Sequence, residues 1–163
     1  MKKIRNILLI MLIGLLVVGC GKDKEEGKTK ELDTRVAKEK ISALKFKDSD
    51  FTFTEEVNYD NKEALKVYGV DTSLFTNSYC YLSNNVVDPS MFLIVKTTDE
   101  NKAVLKYQIK EMFDKYYSAY NNYYPKEAKM ISDRLEKELE GYQVYIVSHD
   151  NNLVYQAISE SFK

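Results

Sequence analysis

The sequence has little of the chemistry from which most catalytic and metal sites are built. It contains one His, two Cys and no Trp among 163 residues. Catalytic triads and zinc sites normally draw on His. The sequence also lacks a Gly-rich phosphate loop, a nucleophile elbow and an HExxH motif. We therefore expect no catalytic residue, no metal and no cofactor, and an enzyme is disfavoured.

The one histidine, His149, lies in a polar stretch from Ser148 to Asn152 whose residues favour turns. Two interpretations are open: a histidine of a surface turn, or a metal ligand acting with Asp150. The first is favoured, because two adjacent ligands without a further cluster make a weak metal site.

Pairs of acids offer another route to catalysis, and Glu55 with Glu56 or Glu136 with Glu140 are examples. A glycosidase needs two carboxyl groups on opposite sides of a sugar in a cleft. These acids lie among lysines, so we expect a solvated face. A weak carboxylate-based hydrolase acting on a cell-wall component remains an alternative function.

No apolar run in the sequence is long enough for a membrane span. Ile7 to Val18 is apolar apart from Gly14 but is only twelve residues long, whereas a spanning helix needs roughly 20. Positive charges at Lys2, Lys3 and Arg5 precede the run. This arrangement is typical of a signal peptide.

The run ends in Val17-Val18-Gly19-Cys20, which resembles a bacterial lipobox. There the cysteine thiol takes a diacylglyceryl group as a thioether, and the peptidase needs a small residue before the bond it cuts. We predict a lipoprotein signal peptide over residues 1–19 and lipid attachment at Cys20. Two acyl chains exceed the marginal anchoring of one chain. The membrane is thus an expected partner, and the expected location is the extracytoplasmic side of the cell membrane.

We predict a charged tether over residues 20–33, including the lipidated cysteine, and a single domain over residues 34–163. The prediction of a tether is based on the segment Gly21 to Lys30, which has mixed charge and no apolar residue. If Cys20 carries a lipid, Cys80 has no cysteine partner and is expected to be a small buried hydrophobe.

The overall charge argues against a nucleic-acid partner. Without the three basic residues of the leader, the 24 basic residues fall to 21 against 25 acidic ones. A nucleic-acid binder needs a basic surface to displace counterions from phosphates.

Hydrophobic spacing and turn signals divide the domain into helices and strands. We predict an α+β fold: a small sheet of about three strands, a hairpin plus one strand after two helices, covered by amphipathic helices. The predicted strands are Ser78–Ser83, Met91–Lys96 and Tyr142–Val147.

The predicted helices follow from caps and apolar stripes. One begins at Asp33 or Thr34, one at Asp60 with a stop at Gly69, and one at Thr98 or Asp99. Two more complete the set. One begins at Pro125, with Leu135 and Leu139 on its apolar face, an Asp133–Lys137 pair and a stop at Gly141. The last begins near Asn151.

Thirteen tyrosines are the unusual feature of the composition, and five of them lie between Tyr116 and Tyr124. Tyrosine faces can stack on sugar rings or partner proteins. A helical aromatic stripe more often belongs to the core, and three tyrosines continue that stripe: Tyr116, Tyr120 and Tyr123. The candidate binding surface comprises the residues at its edge: Tyr117, Asn121 and Tyr124.

Four diffuse positions stand out between about Glu56 and Phe162: the strand ending in Val95-Lys96, the helix closing with Tyr124-Pro125, the strand start Gly141-Tyr142 and the turn Asp150-Asn151. In these positions the sequence resembles an uncharacterised family of small Gram-positive lipoproteins that carry a domain of unknown function. The resemblance implies a lipoprotein and no established activity.

The function expected from these features is that of a binding or accessory module of the cell envelope, engaging an envelope protein or a cell-wall ligand. A small solute-binding component of a transporter is the other alternative. Such receptors commonly close two lobes around a ligand, and about 130 residues are few for that arrangement.

Overall fold

The computed structural model describes residues 29–53, 62–83, 85 and 87–163. Several sequence predictions lie outside these residues: the signal peptide over residues 1–19, the lipid attachment at Cys20, the tether as far as residue 28, the start of the second helix at Asp60, and the pair Glu55 and Glu56.

The described residues form five α-helices and one four-stranded sheet, which confirms the α+β class and adds one strand to the predicted three. The strands pair antiparallel in the order β1-β2-β4-β3, and β1 and β2 form the predicted hairpin. The helices are α1 (Thr34–Ser42), α2 (Lys62–Val67), α3 (Asp99–Asn121), α4 (Pro125–Ser132) and α5 (Asn151–Ser159); the strands are β1 (Asn77–Leu82), β2 (Met91–Lys96), β3 (Leu135–Leu139) and β4 (Tyr142–Val147).

Both faces of the sheet are buried, which explains why every residue of β4 is buried. Side chains alternate along a strand, so Tyr145 and Val147 face one core while Val144 and Ile146 face the other. The first core is shared with α3 and α4, the second with α1 and α5. Cys80 is completely buried in the first core, as predicted.

Local signals mark several element ends where the sequence predicts them. Asp33 caps α1 by accepting a hydrogen bond from the Val36 N–H at 3.0 Å. Pro125 occupies the first turn of α4, where its missing N–H removes no helical bond. Gly69 follows α2 with a φ of 88°, a left-handed conformation that glycine adopts without steric penalty.

The segment Leu135–Leu139 was predicted as helix, and this prediction is wrong. The helix ends at Ser132, and the segment forms an edge strand paired with β4. Glu140 and Gly141, at φ values of 50° and 80°, make a two-residue hairpin turn in which both residues need positive φ. Leucines four residues apart fit one side of a strand as well as one face of a helix, so spacing alone could not decide.

The ion pair predicted within that helix is wrong for the same reason. Asp133 instead binds Lys129 of α4 at 2.6 Å. The Lys137 ammonium lies 4.5 Å from the centre of the Tyr155 ring. The strand geometry therefore assigns both charged groups to other partners.

The N-terminal segment of the described chain pairs with the C-terminus. Leu32 bridges to Phe162, and the Asp33 N–H donates to the Ser161 carbonyl at 2.9 Å. Glu31 binds the Lys96 ammonium at 2.6 Å and accepts a hydrogen bond from the Tyr142 hydroxyl. Residues 31–33, the last residues of the predicted tether, thus contact the folded domain: Glu31 at the end of β2, and Leu32 and Asp33 at Phe162 and Ser161.

Candidate functional site

The predicted binding residues lie at the C-terminal end of α3. Tyr117 and Asn121 are on successive turns of α3, and Tyr124 is the N-cap residue of α4. Tyr117 and Tyr124 are each 39% exposed, and Asn121 is exposed as well. All three side chains are therefore accessible, as expected for the edge of the apolar stripe.

The stripe itself is buried at Tyr116 and Tyr120, as predicted, but not at Tyr123. Tyr123 is 79% exposed because α3 ends at Asn121 and Tyr123 belongs to the turn before α4. Its N–H donates to the Tyr120 carbonyl at 3.0 Å. The core prediction for Tyr123 is wrong, and this ring extends the accessible aromatic surface. We call Tyr117, Asn121, Tyr123 and Tyr124 together the tyrosine surface.

Successive aromatic contacts connect this surface to the buried tyrosines of the core. Ring centroids are 5.8 Å apart for Tyr68 and Tyr116, 5.1 Å for Tyr116 and Tyr120, and 5.9 Å for Tyr120 and Tyr124. The Tyr116 hydroxyl donates to Tyr120. Burial raises the pKa of Tyr116 and Tyr120, so both hydroxyls stay protonated. The exposed Tyr124 ring thus rests on buried neighbours that fix its position.

The tyrosine surface and the N-terminal segment of the described chain, residues 29–33, lie at opposite ends of the sheet. β2 starts at Met91 and ends at Lys96, which binds Glu31. α3 begins three residues after Lys96. The charge of Asp88, a residue just before β2, acts on Tyr116 and Tyr120 near the other end of α3. The helix therefore runs back along the sheet towards the start of β2. At about 1.5 Å per residue, Tyr117 lies about 27 Å along α3 from its start.

A polar groove of about 550 Å³ lies between α3 and the β3–β4 hairpin. Gln143 and Tyr145 of β4 line it, together with Lys106 and Lys110 of α3 and with Arg134. Glu136, Lys137 and Glu138 of β3 complete the lining. Sequence analysis missed this groove, because its residues come from three elements that only the strand conformation of β3 brings together.

Most charges around the groove are paired. Arg134 binds Glu136 at 2.6 Å, and its guanidinium lies 4.6 Å from the centre of the Phe113 ring. Lys102 binds Glu138 at 2.8 Å, and hydrogen bonds from Lys102 and Gln143 lower the pKa of Glu138. Lys110 binds Asp114 at 2.6 Å.

His149 is held in a contact that its sequence context did not indicate. Its Nε2 lies 2.9 Å from the Asp88 carboxylate, and its ring lies 5.8 Å from Phe46 and 5.7 Å from Phe51. The neighbouring Asp150 has a separate contact, because its side chain caps α5 by accepting from the Leu153 N–H at 3.0 Å. The described residues include no group of three or more potential metal ligands.

The second carboxylate pair is also separated by its contacts. Glu136 binds Arg134, whereas Glu140 accepts a hydrogen bond from the Lys30 N–H at 3.1 Å. Each carboxylate has its own partner, so this pair gives no support to the hydrolase alternative.

Comparisons with protein-family models, with curated proteins and with solved structures give no match. The resemblance to the Gram-positive lipoprotein family therefore stays a prediction. Within the described ranges, no helix is both long and apolar enough to cross a membrane. The residues of the tyrosine surface and of the polar groove are therefore the basis for assigning a function.

Proposed function

We propose that the protein is a lipid-anchored extracytoplasmic lipoprotein whose folded domain is a binding module of the cell envelope. The anchor is the lipid on Cys20, as the lipobox-like sequence indicates. The binding surface is the tyrosine surface at the end of α3, which engages an envelope protein or a cell-wall ligand.

The observation that supports this proposal most directly is the arrangement of accessible rings on a fixed base. Tyr117, Tyr123 and Tyr124 expose aromatic area within eight residues, and Tyr124 packs on the buried Tyr120. Tyrosine presents a large apolar face and a hydroxyl with few rotatable bonds, so little entropy is lost on binding. Exposed Asn121 adds an amide that can hydrogen-bond a partner.

The position of this surface agrees with a membrane anchor. The N-terminal segment enters the domain beside Lys96, at the opposite end of the sheet from Tyr117. With the lipid at that end, a short tether would hold the Lys96 end towards the membrane. The tyrosine surface would then face away from the bilayer, where wall components and other envelope proteins are accessible.

Binding by this surface is tested by comparing single alanine variants for capture of envelope components. Tyr117→Ala should reduce capture while lowering the free energy of unfolding by less than about 1 kcal/mol. Tyr107→Ala is the matched control, because Tyr107 is 64% exposed on the same helix but outside the surface. Equal capture by both variants would contradict the proposed surface. Turnover of a peptidoglycan, peptide or phosphoester by the purified protein, lost on a single substitution, would contradict a binding module.

A further inference from the structure

We propose that the groove between α3 and the β3–β4 hairpin binds the oxyanion group, a carboxylate or a phosphate, of a small ligand. The groove is distinct from the tyrosine surface and extends the function beyond it. The groups that would hold the oxyanion are Lys106, Arg134 and the hydroxyl of Tyr145.

Tyr145 contributes a hydroxyl to the wall of the groove. The residue is only 5% exposed and lines the groove. Its hydroxyl makes no hydrogen bond to any residue in the part of the chain that the structure describes. The charges of Glu136 and Arg134 act on it, which places it near the groove wall that they form. The buried polar atoms that lack a hydrogen bond among the described residues do not include this oxygen. The hydroxyl is therefore accessible from the groove, where it can donate to a bound group.

The Tyr145 hydroxyl is suited to donate rather than accept. Burial is the main cause that raises its pKa to about 12, so it remains protonated at neutral pH. A protonated phenol donates its hydrogen to an anionic oxygen, and such charge-assisted bonds are stronger than neutral ones. Among the groups that could accept this hydrogen, an anionic oxygen would therefore be bound most strongly.

The charges of the groove favour an anion as well. Glu136 is neutralised by Arg134, and Glu138 by Lys102. Lys106 makes no direct ion pair with any of the described residues, although its charge lowers the pKa of Glu138. Lys106 therefore leaves one positive charge without a bound counter-charge at the groove.

Arg134 adds a donor whose orientation is already fixed. Its Nε–H donates to Glu136 at 2.7 Å, and one terminal nitrogen donates to the Ile131 carbonyl at 3.3 Å. A guanidinium has five N–H donors, so further donors remain. Because stacking on Phe113 holds the group in place, binding an oxyanion would cost little side-chain ordering.

The dimensions of the groove indicate a small molecule. Its volume of about 550 Å³ lies within the roughly 300–1,000 Å³ of small-molecule sites. Phosphate and carboxylate satisfy the same three groups, so the source of the oxyanion has to be resolved by experiment.

Isotope labelling of arginine gives a direct probe of the groove, because the chain contains only three arginines: Arg5, Arg35 and Arg134. The full chain, labelled with ¹⁵N-arginine and held in non-ionic detergent micelles, is titrated with inorganic phosphate and separately with acetate at constant ionic strength. The Nε–H signal of Arg134 should shift saturably with at least one of these anions, with a dissociation constant on the order of 1 mM or tighter. The signal of Arg35, an exposed residue of α1, is the internal control and should not saturate.

Two variants show whether the groove is responsible. Tyr145→Phe removes only the hydroxyl, and Lys106→Gln removes the uncompensated charge from an exposed position. Each variant should raise the dissociation constant of the anion about tenfold, which is the effect of losing one hydrogen bond to a charged group. Lys115→Gln, an exposed lysine on the opposite side of α3, should leave affinity unchanged.

Saturation by phosphate alone identifies a phosphate-bearing ligand, and saturation by acetate alone a carboxylate-bearing one; either result supports the site. Three results would overturn it: Arg134 and Arg35 shifting alike, a non-saturating response to both anions, or unchanged affinity in Tyr145→Phe and Lys106→Gln. None of these outcomes depends on the tyrosine surface, so the two proposals fail separately.

Discussion

Glu31 and Lys163 exchange two backbone hydrogen bonds of 3.0 Å each, so the first residues of the folded chain are joined to its last. Next to this pair, the Glu31 carboxylate binds Lys96 and the Tyr142 hydroxyl. One acidic residue thereby links the N-terminal segment to the ends of two central strands. The place where the proposed tether meets the domain is fixed by these contacts.

The first prediction concerns the boundary of the folded part. A chain starting at residue 29 keeps these contacts, whereas a chain starting at residue 34 loses the Asp33 cap, the Leu32 packing and the Asp33–Lys163 ion pair of 2.6 Å. Loss of the cap alone costs about 1 kcal/mol. We expect the shorter chain to be less stable by about 2 kcal/mol in urea titrations. Equal midpoints for the two chains would show that residues 29–33 belong to the tether.

The second prediction separates core from surface among the tyrosines. Tyr120→Ala removes a ring that is 7% exposed and should cost about 3–5 kcal/mol of unfolding free energy. Tyr117→Ala removes a ring at the edge of the stripe and should cost less than about 1 kcal/mol. Chemical denaturation of both variants provides the measurement. Equally small losses would contradict the buried position of Tyr120.

The third prediction is a loss of stability at alkaline pH. Burial and the hydrogen bond to Glu31 raise the pKa of Tyr142 to about 12, above the ordinary value of about 10. Between these values the unfolded chain has released the proton and the folded chain retains it. Stability present below about pH 10 is therefore lost as pH rises towards about 12.

This alkaline transition is measured by thermal melts in steps across that range. Tyr142→Phe cannot ionise at this position, so its melting temperature should fall less steeply with pH. A wild-type slope in this variant would assign the transition to other groups.

The fourth prediction tests the proposed anchor. Cys20→Ala removes the thiol on which lipid addition and the following cleavage both depend. Metabolic labelling with a radioactive or clickable fatty acid should be lost, and a larger unprocessed precursor should accumulate. Cys80→Ala is the matched control and should keep the label. Unchanged labelling in Cys20→Ala would contradict the lipoprotein assignment.

The sequence predicts those elements whose local signals agree with one another. Pro125 at a helix start, Asp33 at a cap and the apolar run of β2 each point to one structure, and each prediction is confirmed. The helix prediction for Leu135–Leu139 fails because Leu, Glu and Lys favour helix, whereas pairing with β4 makes the segment a strand. A Glu-Gly turn is also a weaker hairpin signal than Asn-Gly.

The two candidate sites differ in how far the sequence could reveal them. Tyr117 and Asn121 are predictable from the phase of one helix, whereas Tyr123 and Tyr124 follow the end of that helix and depend on the turn before α4. The groove joins Lys106 to Tyr145, residues from different elements. No local pattern connects these two residues, so only the tertiary structure makes the groove visible.

The measurement that tests the central claim most directly is site-specific photocrosslinking in intact cells. A photoreactive phenylalanine analogue replaces Tyr123, whose ring is 79% exposed, and in a second strain replaces Tyr107 as control. The account predicts a discrete crosslinked product from position 123, absent from position 107 and lost when Tyr117→Ala and Tyr124→Ala are added. No product from position 123, or the same product from both positions, would contradict a binding module that acts through the tyrosine surface.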